Sequence, residues 1–430
     1  MRLAALLGFL FTIACAHTPR PLSDAEIVQR ARGIHERVIT LDTHVDFRLS
    51  NFTPERNYST EQSSQVDLVK MQSGGLNVAW LVVFTSQGEL NPAGYAAAHQ
   101  HALQMFDAIH RLCDEFAPDQ VELALNSKDV RRIHASGKLA VMIAIENGYP
   151  VGLDLANIQR FHELGGRYMS LAHNGHSQFS DSHTGEADDS WLHGGLSDLG
   201  RQALGELNKW GIIVDISHPS RAAIHEMLML SKAPVVASHS SARALNDVSR
   251  NLDDEQLQGV RKNGGVVQTV AFRSYVNADK DRVHRDALRG ATDRVAEELG
   301  FERLGREALG KLDPQARAAY DAELARFREL CIPAQLEAER GAPPVDVADF
   351  VDHIDYLVEC IGIEHVGISS DFDGGGGVRG WNDASETFNV TLELVRRGYS
   401  EAEIEKLWSG NLLRVLDEVE RVAQELQAKD

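Results

Sequence analysis

Cysteine is scarce in this sequence, and the few cysteines present form no motif. The 430 residues include four, Cys15, Cys113, Cys331 and Cys360, and no two of them stand at the CxxC spacing. Such sparse cysteines exclude a disulfide framework. If the protein binds metal, we therefore expect the ligands to be histidines and carboxylates.

Positive charge is also limited. The chain has 43 Lys and Arg against 63 Asp and Glu, which gives a formal net charge of -20 at pH 7. This excess argues against nucleic acid, an anionic membrane surface or a polyanionic substrate as a partner. Hydrophobic residues make up 43% of the chain, which is enough for a large buried core.

The apolar run near the N-terminus is too short to cross a membrane. It covers residues 3–13, between the basic start Met1-Arg2 and the small residues 14–16. This pattern is typical of an export signal, so we expect 1–20 to be a leader and the protein to be periplasmic or anchored to the bacterial envelope. Residues 12–15 resemble a lipoprotein signal with Cys15 as the lipid anchor. Thr12 departs from that signal, so ordinary cleavage stays open.

Eight short apolar runs, rich in β-branched residues, recur along the rest of the chain. Most are almost continuously hydrophobic, as expected for parallel strands covered on both faces, and helical stretches separate them. This repeated alternation predicts a (β/α)8 TIM barrel. The predicted strands are 38–41, 78–84, 139–145, 168–172, 212–216, 235–237, 266–272 and 365–369.

A charged stretch follows the seventh predicted strand. Residues 279–340 are rich in Ala, Glu and Arg and have helical character. We interpret them as a helical insertion at one edge of the barrel, because single barrel domains often exceed the average domain length. Residues 21–430 are therefore predicted to form one domain.

Polar residues follow several of these strands. His44 and Asp46 stand two apart after the first strand, so on an extended backbone they point to the same side and can bind one divalent cation. The ends of barrel strands meet at one face. The third, fifth, sixth and eighth strands are followed by Glu146, His218, His239 and Asp371.

Each of these residues alone has an ordinary structural interpretation. A single histidine at a strand end is more often hydrogen-bonded than a metal ligand, a buried glutamate is commonly paired, and the glycine-rich segment 371–377 could be merely a turn. Their convergence is harder to explain, because burying so many ionisable groups without a cation is costly. The set therefore predicts a metal site, most simply a binuclear one.

The same residues resemble those of the membrane (renal) dipeptidases of the amidohydrolase superfamily. The resemblance spans about 38–411, and its most specific parts are 238–242 (Ser-His-Ser-Ser-Ala) and 371–374 (Asp-Phe-Asp-Gly). It implies a dipeptidase with two zinc ions and an attacking metal-bridging hydroxide, with tolerance for a D-residue at the substrate's C-terminal position. The predicted leader agrees with an exported bacterial member of this family. We also expect the protein to be a homodimer.

The resemblance also implies a role for each metal ligand. His44 and Asp46 would bind one zinc ion, His218 and His239 the other, and Glu146 would bridge the two. Imidazole nitrogens and carboxylate oxygens are the donors that zinc takes when cysteine is absent.

Three further residues are implied on the substrate side. His173 is similar to the family histidine that stabilises the tetrahedral oxyanion, and Asp371 would carry a proton from water to the leaving amine. Arg250, eleven residues after His239, would bind the substrate's C-terminal carboxylate, which a guanidinium grips with two hydrogen bonds. As a fixed cation it would favour dipeptides over longer chains.

The segment after the seventh strand departs from the family pattern. Arg273 stands where relatives carry a longer run with aromatic residues and Asn, so it is a candidate second carboxylate anchor. We interpret His176 and His183 as loop or surface residues, with a place in the pocket lining as the alternative. Tyr275 is a core or pocket-wall candidate, and Asp373 supports the turn.

Two other classes of function remain open. A different binuclear-metal amidohydrolase, acting on an N-acyl amino acid, a lactam or a lactone, would use the same metals. An exported binding lipoprotein with an inactive barrel would not need Asp371, and the presence of that residue argues against it.

Overall fold

Nine parallel β-strands form one sheet, and eight of them close into a ring. The structure, a computed structural model, describes residues 22–429. The ring order is β1-β2-β4-β5-β6-β7-β8-β9, and a bridge between Val45 and Phe372 returns the end of β9 to β1. The strands are β1 (Leu41–Val45), β2 (Val78–Phe84), β3 (Val121–Leu123), β4 (Leu139–Glu146), β5 (Gly166–Ser170), β6 (Ile213–Asp215), β7 (Val236–Ala237), β8 (Val266–Val270) and β9 (Val366–Ser369).

Helices surround this ring, and the predicted (β/α)8 barrel is confirmed. Among residues 22–429, none of the helices is both long and apolar enough to cross a membrane. The predicted leader 1–20 and its Cys15 lie outside the described residues. The helices are α1 (Asp24–Arg37), α2 (Leu68–Gly74), α3 (Pro92–Arg111), α4 (Ser127–Ala135), α5 (Ala156–Glu163), α6 (Asp198–Trp210), α7 (Arg221–Leu230), α8 (Asp254–Asn263), α9 (Arg273–Val276), α10 (Ala278–Leu299), α11 (Arg306–Gly310), α12 (Pro314–Gly341), α13 (Val347–Ile361), α14 (Phe388–Arg396), α15 (Glu401–Glu405) and α16 (Asn411–Gln427).

The barrel interior is packed below the site. Alternate residues of β4 point to the same side as its last residue, Glu146, and are buried with Trp80 of β2 and Tyr168 of β5. The rings of Trp80 and Tyr168 stack with centroids 5.2 Å apart. Residues of α16 belong to the same buried cluster. The interior therefore gives a firm base to the side chains that project from the strand ends.

The predicted helical insertion is present as α10, α11 and α12. The helices α10 and α12 pack on each other around a small buried cluster of Val295, Phe327 and Cys331. Lys280 Nζ lies 2.5 Å from Asp349 Oδ2, and this ion pair joins the start of the insertion to α13 of the barrel.

A candidate metal centre

Seven side chains chosen from the sequence meet at the carboxyl end of the barrel strands. Glu146 ends β4, His44 lies in β1 and Asp46 follows it directly. The other four come from the loops after β5, β6, β7 and β9, and they are His173, His218, His239 and Asp371. The parallel strands bring these residues together across more than 300 positions of sequence.

Glu146 lies at the centre of this group. Its Oε1 atom is 3.0 Å from His218 Nε2 and 3.4 Å from His239 Nε2. The same oxygen is 3.6 Å from His44 Nε2 and 3.8 Å from His173 Nε2. One carboxylate oxygen thus faces four imidazole nitrogens, which is the position that a ligand shared by two ions would need.

Three overlapping sets of donor atoms each lie within 4.8 Å of one another. Because His44 and Glu146 each belong to two sets, the sets describe neighbouring positions within one site. They are His44 with Glu146 and His239, Glu146 with His173 and His218, and His44 with Asp46 and Asp371.

The charges of the site fit divalent cations. Burial raises the pKa of Glu146 to about 8 and that of Asp371 to about 7, and the nearby charges of His44 and Arg250 only partly offset it, so the protein does not fully balance these carboxyls. Burial, together with the Arg250 guanidinium, holds the pKa values of His218 and His239 well below 6.5, so these imidazoles are neutral. Neutral imidazoles and uncompensated carboxylates are the ligands that zinc and similar ions prefer.

Hydrogen bonds orient two of the histidine rings. Tyr168 donates its hydroxyl hydrogen to the Thr43 carbonyl at 3.0 Å, so it accepts from His44 Nδ1 at 2.8 Å. Ser238 Oγ donates to Asp215 Oδ2 at 2.7 Å and accepts from His239 Nδ1 at 2.8 Å. In both rings the proton is held on Nδ1, and the Nε2 lone pair is left for a cation.

The turn after β9 has an unusual backbone. Asp371 and Asp373 have φ of 57° and 62°, in the left-handed region that residues other than glycine seldom adopt. Asp373 accepts hydrogen bonds from the backbone N–H groups of Gln65 and Val66 and so supports the turn. A Cβ on Gly374 would lie 2.2 Å from Asp46 Oδ2, so only glycine fits between the carboxylates.

A cavity of about 540 Å³ opens over the donor atoms. Tyr275 lines it, whereas Arg273 is exposed and does not. Arg250 is 3% exposed and lies directly behind this wall, with Nη2 3.3 Å from His218 Nε2 and its guanidinium 5.2 Å from the Tyr275 ring centre. Arg250 donates to the backbone carbonyls of Ser217 and His239, has no acidic partner in the described chain, and its Nε has no hydrogen-bond partner, so this buried cation has no anion to balance it.

His183, predicted to be a loop or surface residue, lies next to the site. Its Nδ1 is 2.9 Å from Ser249 Oγ, its Nε2 is 3.0 Å from Asn174 Oδ1, and its ring centre is 5.5 Å from that of His218. The signal in the sequence was that His183 follows His173 by ten residues, in the same segment between two strands. His176 instead pairs with Asp181 at 3.1 Å.

A (β/α)8 barrel with clustered histidines and carboxylates at its strand ends defines the class of metal-dependent barrel enzymes. The chain belongs to the membrane dipeptidase family, peptidase family M19, whose model matches residues 28–430. It is accordingly a dipeptidase, a metallopeptidase that hydrolyses peptide bonds, and the family implies bound metal ions.

Known proteins of similar sequence and structure agree with this family. Dipeptidase aclJ of Aspergillus oryzae is 30% identical, over 98% of this chain and 88% of its own length. The crystal structure of the probable dipeptidase PvdM from Pseudomonas aeruginosa is 34% identical with a TM-score of 0.75, and the match covers 93% of this chain and 100% of that one.

A second solved structure is a metallo peptidase from Rhodobacter sphaeroides liganded with a phosphinate mimic of L-Ala-D-Ala. It is 22% identical with a TM-score of 0.65, over 89% of this chain and 99% of that one, which shows the shared fold. Because the relatives are fungal as well as bacterial, export from a bacterial cell stays a prediction.

Proposed function

We propose that this protein is an exported, two-zinc dipeptidase that hydrolyses L,L-dipeptides and dipeptides with a C-terminal D-residue. The observation that carries the proposal is the position of Glu146 Oε1, 3.0 to 3.8 Å from four imidazole nitrogens. A central carboxylate that faces four imidazoles, of which His173, His218 and His239 are neutral, fits two ions better than one. The phosphinate mimic of L-Ala-D-Ala bound by the Rhodobacter relative motivates the inclusion of D-residues.

In this proposal the ligands are His44, Asp46, Glu146, His218 and His239. Divalent ions held there would lower the pKa of water and polarise the scissile carbonyl. The Asp371 carboxylate accepts a proton from the attacking water and passes it to the leaving nitrogen. In the metal-free protein burial raises the pKa of Asp371 to about 7, so this carboxyl can take up and release a proton near neutral pH.

Two other side chains bind the substrate. Burial, with Arg250 next, lowers the pKa of His173 to about 3, so its imidazole is neutral and stabilises the oxyanion by a hydrogen bond rather than by charge. The Arg250 guanidinium, in contact with the cavity-lining residues His218 and Tyr275, receives the C-terminal carboxylate between these two side chains.

The proposal is tested by a dipeptide screen with a metal count on the same sample. Purified protein reconstituted with zinc should contain two zinc ions per chain and hydrolyse L,L and L,D pairs. A protein that holds less than one ion per chain after reconstitution, or that leaves every dipeptide intact, would rule it out. Faster turnover of lactones, lactams or N-acyl amino acids would favour the other amidohydrolase interpretation.

The role of Arg250 has its own test. Arg250→Met should raise KM for L-Ala-L-Ala about 100-fold, because a charge-assisted bidentate contact is lost. The corresponding dipeptide amide lacks the carboxylate, so wild type and variant should hydrolyse it with similar KM. Equal losses on the acid and the amide would show that Arg250 acts on the site as a whole.

The proposed location has a direct test as well. Full-length protein expressed in a Gram-negative host should appear in the periplasm or the membrane fraction. Cys15→Ser should release it from the membrane if the cysteine carries lipid, and size-exclusion chromatography would check the expected homodimer.

A further inference from the structure

The cavity above the metal ligands has two chemically different sides. On the β7–β8 side lie Phe272 and Tyr275, with Arg250 behind them. A second side is built by the end of β1 and by β2 with its following helix α3. Its lining residues are Phe47, Arg48, Leu49, Phe84, His101 and Met105.

Arg48 gives the second side its charge. Arg48 stands two residues after the metal-ligand candidate Asp46, its backbone is extended (φ -115°, ψ 137°), and both residues line the cavity. Arg48 is exposed and, within residues 22–429, forms neither a hydrogen bond through its guanidinium nor an ion pair. Its positive charge is therefore available to a ligand in the cavity.

Acidic residues are not arranged to neutralise Arg48. The carboxylates that line the cavity are Asp46, Glu146, Asp371 and Asp373. The first three belong to the metal donor sets, and Asp373 is bonded to the backbone of 65–66. The two adjoining grooves contribute Glu89, which accepts a hydrogen bond from Asn91 at 2.8 Å, and the exposed Asp107.

We propose that Arg48 forms a subsite for a carboxylate on the side chain of the substrate's amino-terminal residue. The inference rests on the proposed function: a dipeptide with its terminal carboxylate toward Arg250 and its scissile bond at the metals directs its first side chain toward Arg48. The enzyme thus prefers dipeptides that begin with an acidic residue. An exposed cation in water discriminates modestly, so the preference is about three- to tenfold.

The test compares L-Glu-L-Ala, L-Gln-L-Ala and L-Lys-L-Ala as substrates of the zinc-loaded enzyme. Glu and Gln have nearly the same shape, so the ratio of their kcat/KM values isolates charge. Wild type should favour Glu over Gln about three- to tenfold, and 0.5 M NaCl should reduce the ratio toward one. Arg48→Met should bring the ratio to about one at low salt, and Arg48→Glu should make Lys the best of the three.

A matched control removes one positive charge elsewhere. Arg282 is exposed on α10 and pairs with Asp279, outside the cavity, so Arg282→Met should leave the Glu to Gln ratio as in wild type. An unchanged ratio in Arg48→Met would overturn the subsite, as would equal loss on all three substrates, which would make Arg48 the anchor for the common carboxylate. A wild type that hydrolyses none of the three would overturn the proposed function itself.

Discussion

His239 depends on its neighbours for the direction of its free lone pair. Ser238 Oγ accepts from its Nδ1 and donates to Asp215 Oδ2, and all three residues are buried. Asp215 also accepts from the backbone N–H groups of Ser217 and Ser238, so its carboxylate is fixed. The chain Asp215–Ser238–His239 thus positions a metal ligand without touching the metal.

We expect Ser238→Ala to weaken zinc binding about 10- to 100-fold, the range typical of losing such a supporting contact. The imidazole would lose the acceptor for its Nδ1 proton and could turn or change tautomer. Zinc affinity measured by competition with a chelator checks this.

Ser241→Ala is the control for this prediction. Ser241 is equally buried and close in sequence, but its Oγ donates to the Val270 carbonyl at 3.3 Å rather than to a ligand ring. Its zinc affinity should stay within about threefold of wild type. Equal losses in both variants would mean that Ser238 acts only through packing.

The sequence could predict the ligands but not these supporting residues. His44, Glu146, His218 and His239 each lie within three positions of a predicted strand, so the strand-end rule finds them, and Asp46 follows from its two-residue spacing to His44. The supporting role of Tyr168, Ser238 and Asp215 depends on hydrogen bonds that only the folded structure shows. The Tyr168 hydroxyl, for example, accepts from a histidine 124 positions away. For the same reason the sequence offers a pocket position for His183 only as an alternative, since its partner Ser249 is 66 positions distant.

At the scale of elements, the predicted and observed strands differ most at two places, and the remaining boundaries agree within two residues. The first strand was predicted at 38–41, but β1 is Leu41–Val45, because the strand continues through the buried polar residues Asp42, Thr43 and His44. A prediction from hydrophobicity alone therefore places the end of this strand too early. The three-residue β3 was missed because Val121–Leu123 is too short for a periodic signal and pairs with β4 outside the ring.

The insertion has a hydrophobic cluster separate from the main core. Phe327 is buried, and its ring stacks on Phe301 with centroids 4.4 Å apart. Phe327→Ala should lower the stability of this cluster by about 3 to 5 kcal/mol. Because the cluster is small, we expect this loss to unfold the insertion locally. Hydrogen exchange should therefore show lost protection across α10 and α12, with the barrel strands unchanged.

A variant in the barrel core is the control for Phe327→Ala. Phe350 on α13 is fully buried in the main core, so Phe350→Ala should lower the unfolding temperature of the whole domain. No residue of α10 to α12 lines the cavity among those described, so Phe327→Ala should retain dipeptide hydrolysis. Global loss of protection in Phe327→Ala would show that the insertion and the barrel unfold as one unit.

At the scale of the whole molecule, the metal-free site should lower the free energy of unfolding as the pH becomes alkaline. Burial raises the pKa of Glu146 to about 8 and of Asp371 to about 7. Burial lowers the pKa of His44, but Glu146 and Asp46 outweigh it and raise the value to about 10. A group whose folded pKa is raised stabilises the fold while protonated, so stability is lost as pH rises through these values.

The other histidines act in the opposite sense on the acidic side. Burial lowers the pKa of His173 to about 3 and of His183 to about 2, and it holds His218 and His239 well below 6.5. The unfolded chain binds protons at these histidines below pH 6.5, whereas the folded chain does not. Stability is therefore lost as pH falls below 6.5.

The two effects together predict that metal-free protein is most stable near pH 6.5 and loses stability toward pH 8.5. Each group contributes on the order of 1.4 kcal/mol per pH unit within its window. Bound zinc would replace the protons that Glu146 and Asp371 otherwise need, so the zinc-loaded protein should keep its unfolding temperature between pH 6.5 and 8.5. Thermal unfolding in EDTA and in zinc across pH 5.5 to 8.5 measures this, and parallel curves would mean that cations do not balance these carboxylates.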